Sequence, residues 1–276
     1  MSDQPTPASP YTHLDRPPLR GRELDQALTR PDGLWQRIQL VASTGSTNAD
    51  AAAAAQTGAP HGLVIVAEHQ TAGRGRLDRG WTAPPRSGLT FSVLLRPTVP
   101  AGHWHWLSIL AALATSVAVA EQCGLEPRLK WPNDLLLDDR KLAGVLAERI
   151  GDAVVVGVGL NVSLRAEELP VENATSLLLA GAEHPDRDRL LRAVLRTWAD
   201  WYQRWEAAGG DPVGCGLRSA YLDRCATLGR QVRVELPAGQ PPLYGEAVDL
   251  DESGRLVVRS AAGDQAVGAG DVVHVR

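Results

Sequence analysis

Apolar and polar positions change period several times along the chain, and each change marks an element. A short helix is expected over residues 19–30, stopped by Pro31, Asp32 and Gly33. Residues 35–41 alternate apolar with polar, the pattern of a strand with one face in a core. The polar turn 43–48 precedes an alanine run to Gln56 that reads as a helix capped at Ser46 or Thr47. Residues 62–67 and 89–95 are short, β-branched apolar runs and predict buried strands. A long helix over 104–123 is apolar on most faces, so it should be buried on more than one side. Residues 128–131 lead into a turn at Pro132, Asn133 and Asp134, and 135–137 and 143–148 read as paired strands joined through 138–140. The run 153–162 is the most strand-like in the chain, interrupted by Gly157 and Gly159. Charged amphipathic helices are expected over 185–205 and 212–225. After Gly229 four short alternating strands follow (231–236, 245–251, 254–260 and 271–276), which predict a small closed β unit.

The stretch from Glu68 to Trp81 fits neither period. Its glycines and Arg74, Arg76 and Arg79 make a loop whose backbone can approach a ligand closely and whose guanidinium groups match an anion. Three more polar clusters fall at strand ends or turns: 46–48, 130–134 with Lys141, and 157–161. Each also has a plain structural role. Ser46 and Thr47 cap helices, lysines are ordinarily solvated, Pro132 to Asp134 make a turn, and glycines relieve crowding in a bent sheet.

Composition narrows the class. The 276 residues are 44% hydrophobic and 22% charged, enough for one large domain and a small one. A net charge of -4 argues against broad binding to DNA or to an anionic membrane. Cys123, Cys215 and Cys225 contain no CxxC pair, which points to a reducing compartment without disulfides or a zinc site. No signal pattern opens the chain and no segment reads as a membrane span, so a cytoplasmic location is the default. Residues 1–34 are proline-rich and read as a loosely docked or partly disordered tail.

Taken in order, GSTN (45–48), EHQTAGRGR (68–76), KWPND (130–134), KLAG (141–144), GVGLNV (157–162) and ATSLL (174–178) resemble the biotin protein ligases. The resemblance implies an α+β fold. A mixed, largely antiparallel sheet backed by helices, like that of class II aminoacyl-tRNA synthetases, would span 35–227, and a small SH3-like domain would span 228–276. It implies a ligase that makes biotinyl-5′-AMP from biotin and ATP with Mg²⁺, then transfers biotin to a lysine of a biotin carboxyl carrier domain. Ser46, Thr47, Asn48, Gln70, Gly73, Arg74, Gly75, Arg76, Lys141, Gly157 and Gly159 are then expected around biotin, with Leu146 as an apolar wall. Arg74, Arg76, Arg79, Trp81, Lys130, Asn133, Lys141 and Asn161 are expected around the nucleotide. Lys141, Arg76 and Asp134 would serve the chemistry, with Asp134 also placing the metal. Hydroxyls and a primary amide suit a ureido ring, and cations suit a step in which two anions meet.

Two departures stand out. Relatives commonly read GRGRRGR through the loop, whereas Leu77 and Asp78 stand in the second half here, which bears on how firmly the intermediate is held. The stretch before the first core strand shows no helix-turn-helix pattern, so no operator binding is expected. A lipoate–protein ligase and a non-catalytic biotin sensor are the competing readings. KWPND with KLAG and the C-terminal strands favour biotin, and the full lysine and arginine set argues against a dead site.

Overall fold

The computed structural model describes residues 16–77, 79–236, 240–268 and 270–275. A parallel pair starts the main sheet. β1 (Arg37–Val41) and β2 (Leu63–Ala67) run side by side, and the crossover that parallel neighbours require is helix α2 (Thr47–Gln56). β5 (Gly88–Leu95), β9 (Ala153–Asn161), β8 (Arg140–Ile150), β7 (Asp134–Leu137) and β6 (Arg128–Lys130) follow antiparallel, completing seven strands in the order β1-β2-β5-β9-β8-β7-β6. β3 (Gly73–Arg74) and β4 (Gly80–Trp81) form a separate small hairpin in the arginine loop.

Side-chain alternation gives the two faces different tasks. Phe91, Val93, Val156 and Val158 point into a large core shared with α3 (Trp106–Cys123) and α4 (Arg187–Ala207). Leu94, Ala153, Val155 and Ile65 point the other way and pack beneath Ala51 and Ala55 of α2, where the small alanines let the helix lie close. By length and apolarity α3 is sufficient to cross a membrane, contrary to the reading of the sequence, but it is largely buried between the sheet and α4. Gly124, in the left-handed region, ends it.

Several boundaries move. The helix expected from 104 starts at Trp106 after a 3-10 turn (Ala101–His103), and that expected over 212–225 is α5 (Leu217–Arg224), delayed by left-handed Gly216. The β7–β8 turn is tighter than expected, because Asp138 and Asp139 both take positive φ, as a two-residue hairpin turn requires. The expected tail is docked from Arg16 onward. Arg16 is buried against Glu168 at 2.5 Å, and α1 (Gly21–Leu28) packs Leu24 and Leu28 between β1 and α4. The helix expected over 19–30 is α1, and residues 1–15 lie outside the described residues. Trp35 opens no strand; its indole donates to the Leu195 carbonyl at 2.8 Å and meets Trp198 edge to face.

The C-terminal unit is a five-stranded antiparallel sheet of SH3-like type, ordered β13-β12-β11-β10-β14. Its strands are β10 (Gln231–Glu235), β11 (Leu243–Leu250), β12 (Leu256–Ser260), β13 (Gly263–Val267) and β14 (Asp271–His274). β13 escaped the sequence reading because all but Val267 of its residues are exposed, so it carries no alternation. The unit docks through indoles of the larger domain: Trp106 donates to the Glu252 carbonyl at 2.8 Å and Trp131 to that of Gly254 at 3.0 Å.

Candidate functional site

The segments leaving β1 and β2 at their C-terminal ends run together, with Thr44 and Gln70 bridged and the Ala72 N–H donating to the Gly45 carbonyl at 2.9 Å. Ser46 stands at the N-cap of α2 without bonding the helix through its side chain. That duty falls to Gln70, whose Oε1 accepts from the Thr47 N–H at 2.8 Å and from the Thr47 hydroxyl at 3.0 Å. Ser92 Oγ lies 2.7 Å from Thr47 Oγ1 and 2.6 Å from Asn48 Oδ1, so its single proton serves either. Asn48 Nδ2 donates to the Leu146 carbonyl at 3.2 Å and to Glu148 Oε2 at 2.7 Å, and Glu148 ion-pairs with Arg74 at 3.1 Å. The result is one neutral, hydroxyl- and amide-rich pole, buried at Ser46, Thr47, Asn48 and Ser92.

Beside it the sheet surface is bare backbone. Gly159 pairs with Gly144 and Thr90, and Gly157 with Leu146 and Ser92. These glycines first make room for the protein's own side chains. A Cβ on Gly157 would meet Asn48 Oδ1 at 2.0 Å, and one on Gly159 would meet the Trp81 indole at 2.3 Å. Gly73 is held as tightly, against the Trp81 carbonyl and the Gln70 amide, whereas a Cβ on Gly75 would come no closer than 3.3 Å to the Arg79 carbonyl. Trp81 therefore stands as a wall over Gly159 and Gly144, and its buried Nε1 has no hydrogen-bond partner.

The opposite pole is cationic. Lys141 Nζ lies 2.7 Å from Asp134 Oδ1 and 5.9 Å from the Trp81 ring centroid. The Asp134 oxygen gains this ion pair but no well-aligned hydrogen bond. Arg76 reaches over from the loop, donating to Asn133 Oδ1 at 3.3 Å and to the Gly270 carbonyl at 3.1 Å. Its burial lowers its pKa, a shift that leaves a guanidinium charged at neutral pH. Asn133 is itself fixed by donating to the Val145 carbonyl at 2.8 Å. Lys130 faces Asp134 across the β6–β7 pair and is half-buried. A cleft of about 740 Å³ runs from the loop past Asn133 and along β8 beyond its pairing with β7, as far as Trp104 and Gly268.

The expected residues divide: Arg74, Arg76, Arg79 and Asn133 line this cleft, whereas Lys141, Gly157, Gly159 and Asn161 are not among its lining residues. Asn161 is buried and its amide donates to the Thr175 carbonyl at 2.9 Å, so it ties down the segment following β9. Arg74 and Arg79 are each held by a carboxylate, Glu148 and Asp271 respectively, and Arg79's hydrogen bond to Asp271 raises its pKa. Glu68, the first residue of the loop motif, belongs to the fold: it forms a buried ion pair with Arg187 at 2.7 Å. Asp78 lies outside the described residues. Among the described residues no group of three His, Cys, Asp or Glu side chains is placed to hold a metal. Ser92 and Glu148 were missed by sequence reasoning. Their signal was alternation: on strands whose other face is core, both occupy the face of Gly157 and Leu146.

Comparison with known proteins gives consistent matches. Residues 40–163 match the biotin/lipoate A/B protein ligase family model, and residues 227–275 match the biotin protein ligase C-terminal domain. The chain is 45% identical to a biotin–[acetyl-CoA-carboxylase] ligase of Mycobacterium tuberculosis, over 95% of this chain and 97% of the relative. It is 34% identical to the ligase of the same name from Paracoccus denitrificans, over 84% of this chain and 98% of the relative. The solved structure of biotin protein ligase from Aquifex aeolicus in complex with biotin and ATP superposes with a TM-score of 0.74 at 27% identity, covering 88% of this chain and 100% of that one.

Proposed function

This chain belongs to the biotin protein ligase family, and we propose from that premise that it adenylates biotin with ATP and transfers the biotinyl group to a lysine of a biotin carboxyl carrier protein. The observation that carries the reading is the two-pole slot. Neutral hydrogen-bonding groups at Thr47 and Gln70 stand on one side and Lys141 and Arg76 on the other, and the Gly157 and Gly159 backbone between them is covered by Asn48 and the Trp81 indole in this structure. Biotin has the matching shape, a neutral ureido head and an anionic tail.

In the first step an oxygen of the biotin carboxylate attacks the α-phosphorus of ATP. An O–P bond forms, the bond to the departing pyrophosphate breaks, and biotinyl-5′-AMP results. Negative charge gathers at phosphorus, so fixed cations accelerate the step. Lys141 and Arg76 have that task here. Ser46, with its side chain not bonded to the helix, and Thr47 with Gln70 orient the ureido head. Leu146 and Trp81 wall the rings. A magnesium ion brought with ATP would be held mainly by the substrate's phosphates, with Asp134 the carboxylate that would contribute to it, and it would offset the charge of the departing pyrophosphate.

In the second step the carrier's neutral lysine amine attacks the acyl carbon and AMP leaves. Asp134, at the centre of the site beside Lys141, is the group suited to orient that amine or accept its proton.

ATP–pyrophosphate exchange with biotin or lipoate as the sole acid tests the reading. Exchange that needs biotin is the expected result. Exchange supported by lipoate alone would move the chain to the sister activity, and none with either would leave a binding protein. The match of residues 227–275 to a biotin protein ligase domain favours biotin.

A further inference from the structure

The arginines of the loop are not equivalent. Arg79 is ion-paired with Asp271 and Arg74 with Glu148, whereas among the described residues the hydrogen bonds of Arg76 go to neutral acceptors, Asn133 Oδ1 and the Gly270 carbonyl, with Asp271 and Asp134 acting on it only through space. A guanidinium already paired with a carboxylate has little charge left for a phosphate. Arg76 is thus the loop cation directed at the nucleotide, and Arg74 has different work.

That work is defined by Glu148. It stands on β8 beyond Leu146, and its Oε2 accepts both from Asn48 in the first turn of α2, at 2.7 Å, and from Arg74 in β3, at 3.1 Å. From Arg74 the contacts continue through Glu148, Asn48, Ser92 and Thr47 to Gln70, without reaching Lys141 or Arg76. We propose that Glu148 is a positioning residue of the biotinylation reaction: it latches the base of the arginine loop to α2 through Arg74 and so holds the loop closed over biotin and biotinyl-AMP. This rests on the ligase reading above.

A latch affects retention rather than chemistry. Replacing Glu148 with Gln keeps the shape and an acceptor for Asn48 but removes the charge that holds Arg74. In pyrophosphate exchange, E148Q is expected to raise the KM for biotin roughly fivefold, the equivalent of a partly exposed ion pair, with kcat within about twofold. Biotin-dependent AMP formation without any carrier, which scores escape and hydrolysis of the intermediate, rises by a similar factor. Because the Arg74 side chain is about half exposed (48%), the wild-type KM should climb more steeply with salt than that of E148Q, which keeps only the attraction of biotin's carboxylate to Lys141 and Arg76. The charge-swapped pair Arg74→Glu with Glu148→Arg should recover part of the loss.

An E148Q enzyme with unchanged KM and no extra AMP, or one that loses kcat alone, overturns the latch while leaving the ligase reading intact. A wild type without biotin-dependent exchange removes both. If E148Q does not fold, Arg74→Gln decides: an unchanged biotin KM with no extra AMP counts against the proposal.

Discussion

The indole of Trp81 rests on the bare backbone of Gly159, so closely that a Cβ there would lie 2.3 Å from the ring. The contact joins the arginine loop to the floor of the slot across the gap between β4 and β9. Gly159→Ala should push the indole outward, at about 1–3 kcal/mol for an overpacked site. A red-shifted tryptophan emission and a biotin KM raised by about tenfold or more are expected. Emission and KM both equal to wild type would show that the contact is dispensable.

Lys141 is the cation nearest the centre of the slot, between Asp134 and the Trp81 face. Its removal takes charge stabilisation from the first step. Lys141→Ala should lower biotin-dependent pyrophosphate exchange by roughly 10²–10³-fold, the range for losing one preorganised stabilising group. The melting temperature should fall as well, since Lys141 is the ion-pair partner of the buried Asp134 Oδ1, so the exchange rate is to be compared on folded protein.

Glu68 and Arg187 form the opposite case, a pair with each side chain under a tenth exposed. Glu68→Gln leaves the Arg187 charge buried and also weakens the acceptor for the Leu19 N–H, now at 2.6 Å. About 3–5 kcal/mol of stability should be lost. The denaturant midpoint should fall, while the biotin KM of the protein that remains folded stays near wild type.

His274 has its pKa pushed down to about 4, by burial first and then by the neighbouring charges of Lys130 and Arg230. The unfolded histidine, near 6.5, binds its proton more readily than the folded one. Stability from this group is therefore complete above about pH 6.5 and lost as pH falls from 6.5 towards 4. His274→Gln should flatten the part of the pH–stability curve lying in that window. An unaltered curve would place the acid sensitivity elsewhere.

The order of elements was legible in the sequence, because short-range periodicity is printed directly in it. The β-branched run 153–162 showed a strand where β9 stands, and the order of the motifs pointed to one family, from which Thr47, Gln70, Asn133 and Lys141 were expected together. Pairing between distant residues was not legible. No local pattern announces that Arg74 meets Glu148, that Arg79 meets Asp271, or that Asn161 spends its amide on Thr175. Nor does the sequence reveal that Glu68 is a buried structural acid rather than part of the loop it introduces. A guanidinium carries the same charge wherever it stands. Whether it meets a phosphate or a carboxylate depends on which strands the tertiary fold lays beside it, and that choice leaves no period in the chain.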